Sequence, residues 1–308
     1  ISRIRAVLSV EVSIRSLFEA PSVEALGAVL SAATAGAVRA PLVAQPRPAE
    51  LPLSYAQRRL WFLDRLEAGG GGIGRGTYVI PMAVRLSGAL DRASLCGALN
   101  DVVGRHESLR TVYPERGGVP RQQIVAATAA RLELAVEAIA EGSLSGALAA
   151  EAARGFDLSR ELPLRARLFA LGPDGSGRPR HVLVLVLHHI AGDGWSLGPL
   201  WRDLGAFYRA RCEGVAAGLP ALSVQYADYT LWQRAVLGED SAPDSALSAQ
   251  LEYWRQALAD LPEQIELAAD RARPAVASHR GGSVAVWLPA RLHGGLLGLA
   301  RRQGASLF

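Results

Sequence analysis

The stretch Val182–Leu187, VLVLVL, constrains this 308-residue chain more than any other. Six apolar residues, half of them β-branched, run without the polar alternation of a half-exposed strand, so the segment reads as a strand buried on both faces. Such a strand delivers its last residues to one defined point. Those residues are His188 and His189, followed by IAGDGWS through Ser196. Side chains alternate along a strand, so one histidine is expected inward and the other toward whatever cavity lies at the strand's end.

The length exceeds what one hydrophobic core usually organises, which predicts two lobes or domains. Half of the residues are hydrophobic, ample for a packed interior. No apolar run reaches the length of about 18 residues that spans a bilayer, and no secretory leader opens the chain, so a soluble, cytoplasmic protein is expected, with no membrane partner. The chain opens on Ile1 inside what reads as a helix, as an excerpt of a longer protein would. The formal charge of +4 rests on 33 basic residues, all of them arginine. They are scattered among acids with no basic block, which argues against nucleic acid as a partner. Cys96 and Cys212 match no metal or redox spacing.

Residues 1–30 carry helical apolar spacing, restarted at Pro21 and Ser22. Residues 31–50 turn to Ala, Gly, Pro and Thr and read as a linker. Beyond it, Ser54 is placed to cap a helix bearing Leu60, Trp61, Leu63 and Leu66. The GGGGIGRG run at Gly69–Gly76 has no preceding strand and no following helix, so it reads as a loop rather than a phosphate cradle. Further helices are expected at Asp91–His106, Ser143–Arg154, Ser196–Arg211, Val224–Val236, Ala246–Leu258 and Ala290–Gln303. Strands are expected at Thr77–Leu86, Ile124–Val125, Leu132–Val136, Leu164–Leu171 and Ser283–Leu288. Strands and helices mix without strict alternation, which favours α+β over a doubly wound sheet.

A histidine pair at a strand end, followed by Asp193 and Gly194, suits acid/base work near neutral pH. Taken alone, the pair is read more readily as two satisfied core histidines, and Asp193 is open to being a cap on the helix near Ser196. Adjacent strand histidines diverge and no third clustered ligand is evident, so no metal is expected. GxSxG is absent, which disfavours a serine hydrolase.

Four segments in order resemble the motifs of the condensation domain of non-ribosomal peptide synthetases: SYAQRRLWFL at Ser54–Leu63, RHESLRTVY at Arg105–Tyr113, HHIAGDGWS at His188–Ser196 and YADYTLWQ at Tyr226–Gln233. Residues 1–30, with IRSLFEAPSVEALG, resemble the end of a peptidyl-carrier domain. The resemblance implies a chloramphenicol acetyltransferase-like, two-lobed αβ sandwich, with residues 51–222 as the N-terminal lobe and 223–308 as the start of an incomplete second lobe. It implies an acyltransferase that forms amide bonds between an upstream acyl or peptidyl thioester and a downstream aminoacyl thioester. No cofactor would be bound by the domain itself, since both substrates ride on phosphopantetheine. The implied partners are upstream and downstream carrier domains and an adjacent adenylation domain.

By the same resemblance His189 is catalytic, and His188, Asp193, Gly194 and Trp195 support it. Asp193 is expected to be a scaffold carboxylate held by Arg105 or Arg110, because a buried carboxylate without a partner is costly. Gly194 would leave room for the pantetheine arm. The opening motif resembles the subtype that joins two L-configured residues. Heterocyclisation domains carry aspartates in place of the two histidines and are disfavoured. An epimerisation-type relative and a non-catalytic docking module remain as alternatives. The family's domain continues beyond Phe308, so the chain as written is expected to be incomplete as a catalyst.

Overall fold

The computed structural model describes residues 1–308 except 9, 11, 33–39, 70–75, 240, 263, 267, 275–281, 283 and 308. The glycine-rich loop expected at Gly69–Gly76 therefore lies almost entirely outside the described residues. The chain opens with helices α1 (Ser2–Leu8), α2 (Ile14–Glu19) and α3 (Val23–Ala32), and the Ser22 hydroxyl accepts from the Ala25 N–H at the start of α3. Helix α4 (Tyr55–Gly69) begins with a reciprocal cap, in which Ser54 Oγ accepts from Gln57 N and Gln57 Oε1 accepts from Ser54 N. Strand β1 (Val79–Ser87) and helix α5 (Arg92–Arg105, capped by Asp91) follow, then a 3-10 turn at Glu107–Arg110. The short strands β2 (Thr111–Val112), β3 (Glu115–Arg116), β4 (Val119–Pro120) and β5 (Gln123–Ile124) form two small ribbons, β2 with β5 and β3 with β4. After them come β6 (Leu134–Ala138), α6 (Leu144–Ala153), β7 (Leu164–Leu171), β8 (Arg180–His188), α7 (Gly194–Glu213), α8 (Tyr226–Leu237), α9 (Ala246–Ala257) and α10 (Ala290–Arg302).

The main sheet has the order β1-β8-β7-β6, and β8 is antiparallel to both of its neighbours. The pair β6–β7 is parallel, with α6 in the connection between them. The apolar run of β8 is buried along its whole length, as its composition predicts. Its two faces serve two cores. Leu183, Leu185 and Leu187 pack with Leu95, Leu99 and Val102 of α5 and with Leu200 and Leu204 of α7. Val182, Val184 and Val186 pack with Leu60 of α4, Leu144 of α6, and Phe156 and Leu158 of the loop before β7. The sheet is thus covered by helices on both sides, an α+β arrangement that fixes the end of β8 from above and below.

Residues 40–47 of the expected linker are bonded to the fold. Gln45 N donates to Asp228 Oδ1 at 2.9 Å, Arg47 pairs with Asp228 Oδ2 at 3.1 Å, and the Trp232 indole N–H donates to the Ala40 carbonyl at 2.5 Å. These bonds tie residues 40–47 to α8.

By compactness the chain divides into Ile1–Leu261 and Pro262–Phe308, and α8 and α9 lie in the first unit. The cause is local bonding: Gln225 Nε2 donates to the Arg105 carbonyl, and Arg234 Nε donates to the Leu53 carbonyl. Within Pro262–Phe308, α10 is helical as expected, but residues 284–288 of the expected strand Ser283–Leu288 form no strand among the described residues. Val284, Val286 and Trp287 are each more than three-quarters exposed. β propensity supplies side-chain fit, and without a hydrogen-bonded neighbour it does not hold a strand.

Candidate active site

Strand geometry persists one residue past β8. His188 N donates to the Pro163 carbonyl at 2.9 Å, beside β7, and His189 N donates to the Tyr78 carbonyl at 2.8 Å, beside β1. Opposite bonding directions at successive residues force opposite side-chain directions. The His188 ring is fully buried, and the His189 ring is exposed. The backbone then turns, with Ala191 N donating to the His188 carbonyl at 3.0 Å. His188 secures the turn from inside: its Nδ1 accepts the Ile190 N–H at 3.0 Å, and the Phe156 ring meets it edge-on at 5.9 Å between centroids. The Arg165 guanidinium lies over that phenyl ring, 3.8 Å from its centroid.

Asp193 is exposed and ends the turn as the N-cap of α7. Its Oδ1 accepts from Ser196 N at 3.0 Å and from Ser196 Oγ at 2.7 Å, while its own N–H donates to Ser196 Oγ at 3.1 Å. The Ser196 hydroxyl holds the carboxyl below the usual carboxylate range, with backbone N–H groups of the first turn and the nearby His189 adding to it. Helix α7 thus begins two residues earlier than expected, and Ser196 is its third residue rather than its cap. Pro199 falls in the second turn.

The expected pairing of Asp193 with Arg105 or Arg110 does not occur. Arg105 Nε donates to Asp203 Oδ2 at 2.9 Å, and Arg110 donates to the Val125 carbonyl at 2.6 Å and faces Glu107 at 3.7 Å. The physical reason is burial: Asp203 is the fully buried carboxylate and Asp193 stands in solvent, which needs no cation. Asp203 also accepts from His106 Nε2 at 2.9 Å and from Arg202 Nε at 3.0 Å. Burial pushes its carboxyl up, but the hydrogen bonds from His106, Arg202 and Arg105 outweigh that and hold it below the ordinary range. Sequence reasoning missed Asp203, His106 and Gly192.

Gly192 and Gly194 differ in kind. A Cβ on Gly192 would come within 2.8 Å of Leu187 Cδ2 and 3.3 Å of Ser196 Cβ, whereas one on Gly194 would meet nothing within 4 Å. Leu187 is 1% exposed and packed in the core with Leu95, Leu99 and Leu200. Gly192→Ala is therefore expected to cost about 1–3 kcal/mol by overpacking the turn. Gly194→Ala, at the first position of a helix, should leave stability unchanged or slightly raised. Thermal unfolding of the two variants checks both; equal losses would show that the turn is not closely packed against Leu187. Trp195, beside Gly194, is 91% exposed.

Two cavities flank the strand end. One of about 190 Å³ has walls from Leu187, Ala191, Ser196, His106 and Leu109. The other, of about 530 Å³, is bounded by Trp61, Asp64, Tyr113, Phe156 and Asp157. Among the described residues no group of three His, Cys, Asp or Glu side chains is placed to hold a metal ion, and no helix is long and apolar enough to cross a membrane.

The profile of the Condensation domain matches residues 48–308, which includes both histidines and the whole turn. The chain belongs to the condensation domain family. Over 308 residues, 100% of the chain, this condensation domain is 47% identical to a probable non-canonical nonribosomal peptide synthetase, CymA, of Salinispora arenicola. It is also 47% identical, over 307 residues, to the dimodular nonribosomal peptide synthase of Bacillus subtilis. It spans 4% of the length of the first and 12% of the second, so both relatives are far longer assemblies. Among solved structures, the X-domain in the complex of the X-domain and OxyB from teicoplanin biosynthesis is similar at a TM-score of 0.73 and 38% identity, over 87% of this chain and 56% of that one. The chloramphenicol acetyltransferase-like fold of condensation domains is shared by further solved members of the family.

Proposed function

We propose that this domain forms peptide bonds in nonribosomal peptide synthesis, joining an upstream aminoacyl or peptidyl thioester to the amino group of a downstream aminoacyl thioester. Both substrates arrive on phosphopantetheine arms of carrier domains, with an adenylation domain adjacent, and the domain itself binds no cofactor. In the step, the amine nitrogen bonds to the thioester carbonyl carbon, the C–S bond breaks, the amine gives up a proton and the departing sulfur takes one. An ammonium has no lone pair for attack, so a group that accepts its N–H is required at the carbonyl.

The observation that carries this reading is the division of labour in the histidine pair. His188 is buried and bonded to the turn, while His189 is exposed on a backbone pinned at Tyr78. His189 is accordingly the catalytic residue, taking the proton or the hydrogen bond of the attacking amine. A backbone fixed at this point limits where the ring can sit and so lowers the ordering cost of attack. Asp193 holds the first turn of α7, Gly194 leaves open space for a pantetheine arm, and Trp195 offers an apolar surface beside it. Residues 1–30 are read as the last helices of an upstream carrier domain, which is supported by three helices standing ahead of the family match.

A second reading, a docking module without transfer activity, is supported by the likeness to the X-domain, which is described in a complex with OxyB. Loading donor and acceptor carriers with radiolabelled aminoacyl groups, in the full-length polypeptide that contains this domain, separates the two. Labelled dipeptide supports the first reading. Carrier or partner binding without amide formation supports the second.

A further inference from the structure

We infer that Asp64 is a positioning residue for the site, acting through His188; this rests on the reading that His189 is the working histidine. A backbone N–H can only donate, so the bond from Ile190 N requires a lone pair on His188 Nδ1. The ring's proton then sits on Nε2. That nitrogen is buried and, among the described residues, has no hydrogen-bond partner. A buried N–H without an acceptor is costly, and such atoms are rare in folded proteins.

The geometry names the missing acceptor. Asp64 Oδ1 lies 3.7 Å from His188 Nε2. That gap is too long for a hydrogen bond, and it is too short for a bridging water, since two bonds of about 2.8 Å meeting at a water molecule span about 4.6 Å. The remaining contact identified on the ring, the edge-on Phe156, offers no lone pair. The Asp64 side chain lies on the wall of the 530 Å³ cavity and is 13% exposed, so its carboxylate has space to swing. One rotamer change closes Asp64 onto Nε2–H. The result is a continuous line from α4 to the catalytic turn: Asp64 carboxylate, His188 Nε2–H, His188 Nδ1, Ile190 N–H. The turn it fixes contains His189. The residue that directly follows the first sequence motif is thereby joined to the third motif through one imidazole.

The test uses the full-length polypeptide for kinetics and 15N-histidine labelling for the ring. Wild type is expected to show His188 as the Nε2–H tautomer with a slowly exchanging ring proton. Asp64→Asn keeps an acceptor oxygen and should retain that signal, with condensation within a few-fold of wild type. Asp64→Leu should lose the signal to solvent exchange and lower kcat by about ten- to a hundredfold through misplacement of the turn, with the acceptor KM unchanged. Survival of the ring signal in Asp64→Leu, an Nδ1–H tautomer in wild type, or equal losses in the Asn and Leu variants would overturn the inference. If Asp64→Leu does not fold, the wild-type tautomer and the Asn variant still decide it. His189→Ala should leave the His188 signal in place, so a fully active His189→Ala variant would remove the functional reading while the Asp64–His188 link stood.

Discussion

Replacing His189 by alanine is expected to lower the rate of peptide formation by about a hundredfold to ten-thousandfold, the range for loss of a positioned proton acceptor, while the domain stays folded. Its ring is exposed, and what holds the residue is the backbone bond to Tyr78, which alanine keeps. Surface truncations of this kind change stability little. The neighbouring substitution should behave in the opposite way. His188→Ala leaves the Ile190 N–H without its acceptor and opens a hole beside Phe156, so stability and activity should fall together. Rates of dipeptidyl formation, measured alongside thermal unfolding of both variants, check the contrast. Loss of folding in His189→Ala, or wild-type rates from it, would contradict the assignment.

The largest structural effect is expected at Asp203. Asp203→Ala removes the shared acceptor of Arg105, His106 and Arg202, and breaking a buried pair from one side costs about 3–5 kcal/mol. The lower end applies here, because only Arg105 is left with its charge buried. The Arg202 side chain is 65% exposed and can turn to water. The consequence reaches the candidate site, since Arg105 and His106 lead into the 3-10 turn Glu107–Arg110, and His106 and Leu109 wall the smaller cavity beside the turn that follows β8. A pH dependence follows with a definite sign. The Asp203 carboxyl is held below its ordinary value in the fold, so its contribution is complete above the unfolded carboxylate range near about pH 4 and is lost as pH falls through the folded value. Denaturant unfolding between neutral and acid pH should show that loss in wild type and a flatter acid limb in Asp203→Asn.

How much of this was legible in the sequence depends on the range of the interaction. β7 was read at its true limits, Leu164–Leu171, and the burial of β8 followed from its unbroken apolar run, because side-chain period and composition are local signals. The divergence of His188 and His189 followed from strand alternation alone. The partner of Arg105 did not. The motive for a buried carboxylate beside it was correct, but Asp203 lies 98 positions away, and nothing local separates it from Asp193. Burial decides between them, and burial belongs to the assembled fold. Residues 284–288 failed in the same way, since their composition suits a strand whose pairing composition cannot supply. Gly192 carried a weak signal within the motif, yet its contact with Leu187 depends on how the turn folds back on β8.

The most direct measurement is a single turnover followed by mass spectrometry of the acceptor carrier. In the full-length polypeptide, with a labelled acyl group on the donor arm and an aminoacyl group on the acceptor arm, the account predicts that the acceptor arm gains the mass of the amide-linked product and the donor arm loses its acyl group. His189→Ala should leave both arms as loaded over the same interval. An acceptor arm that stays unchanged in the wild type while both carriers bind would contradict it, and so would transfer at equal rate with and without the His189 ring.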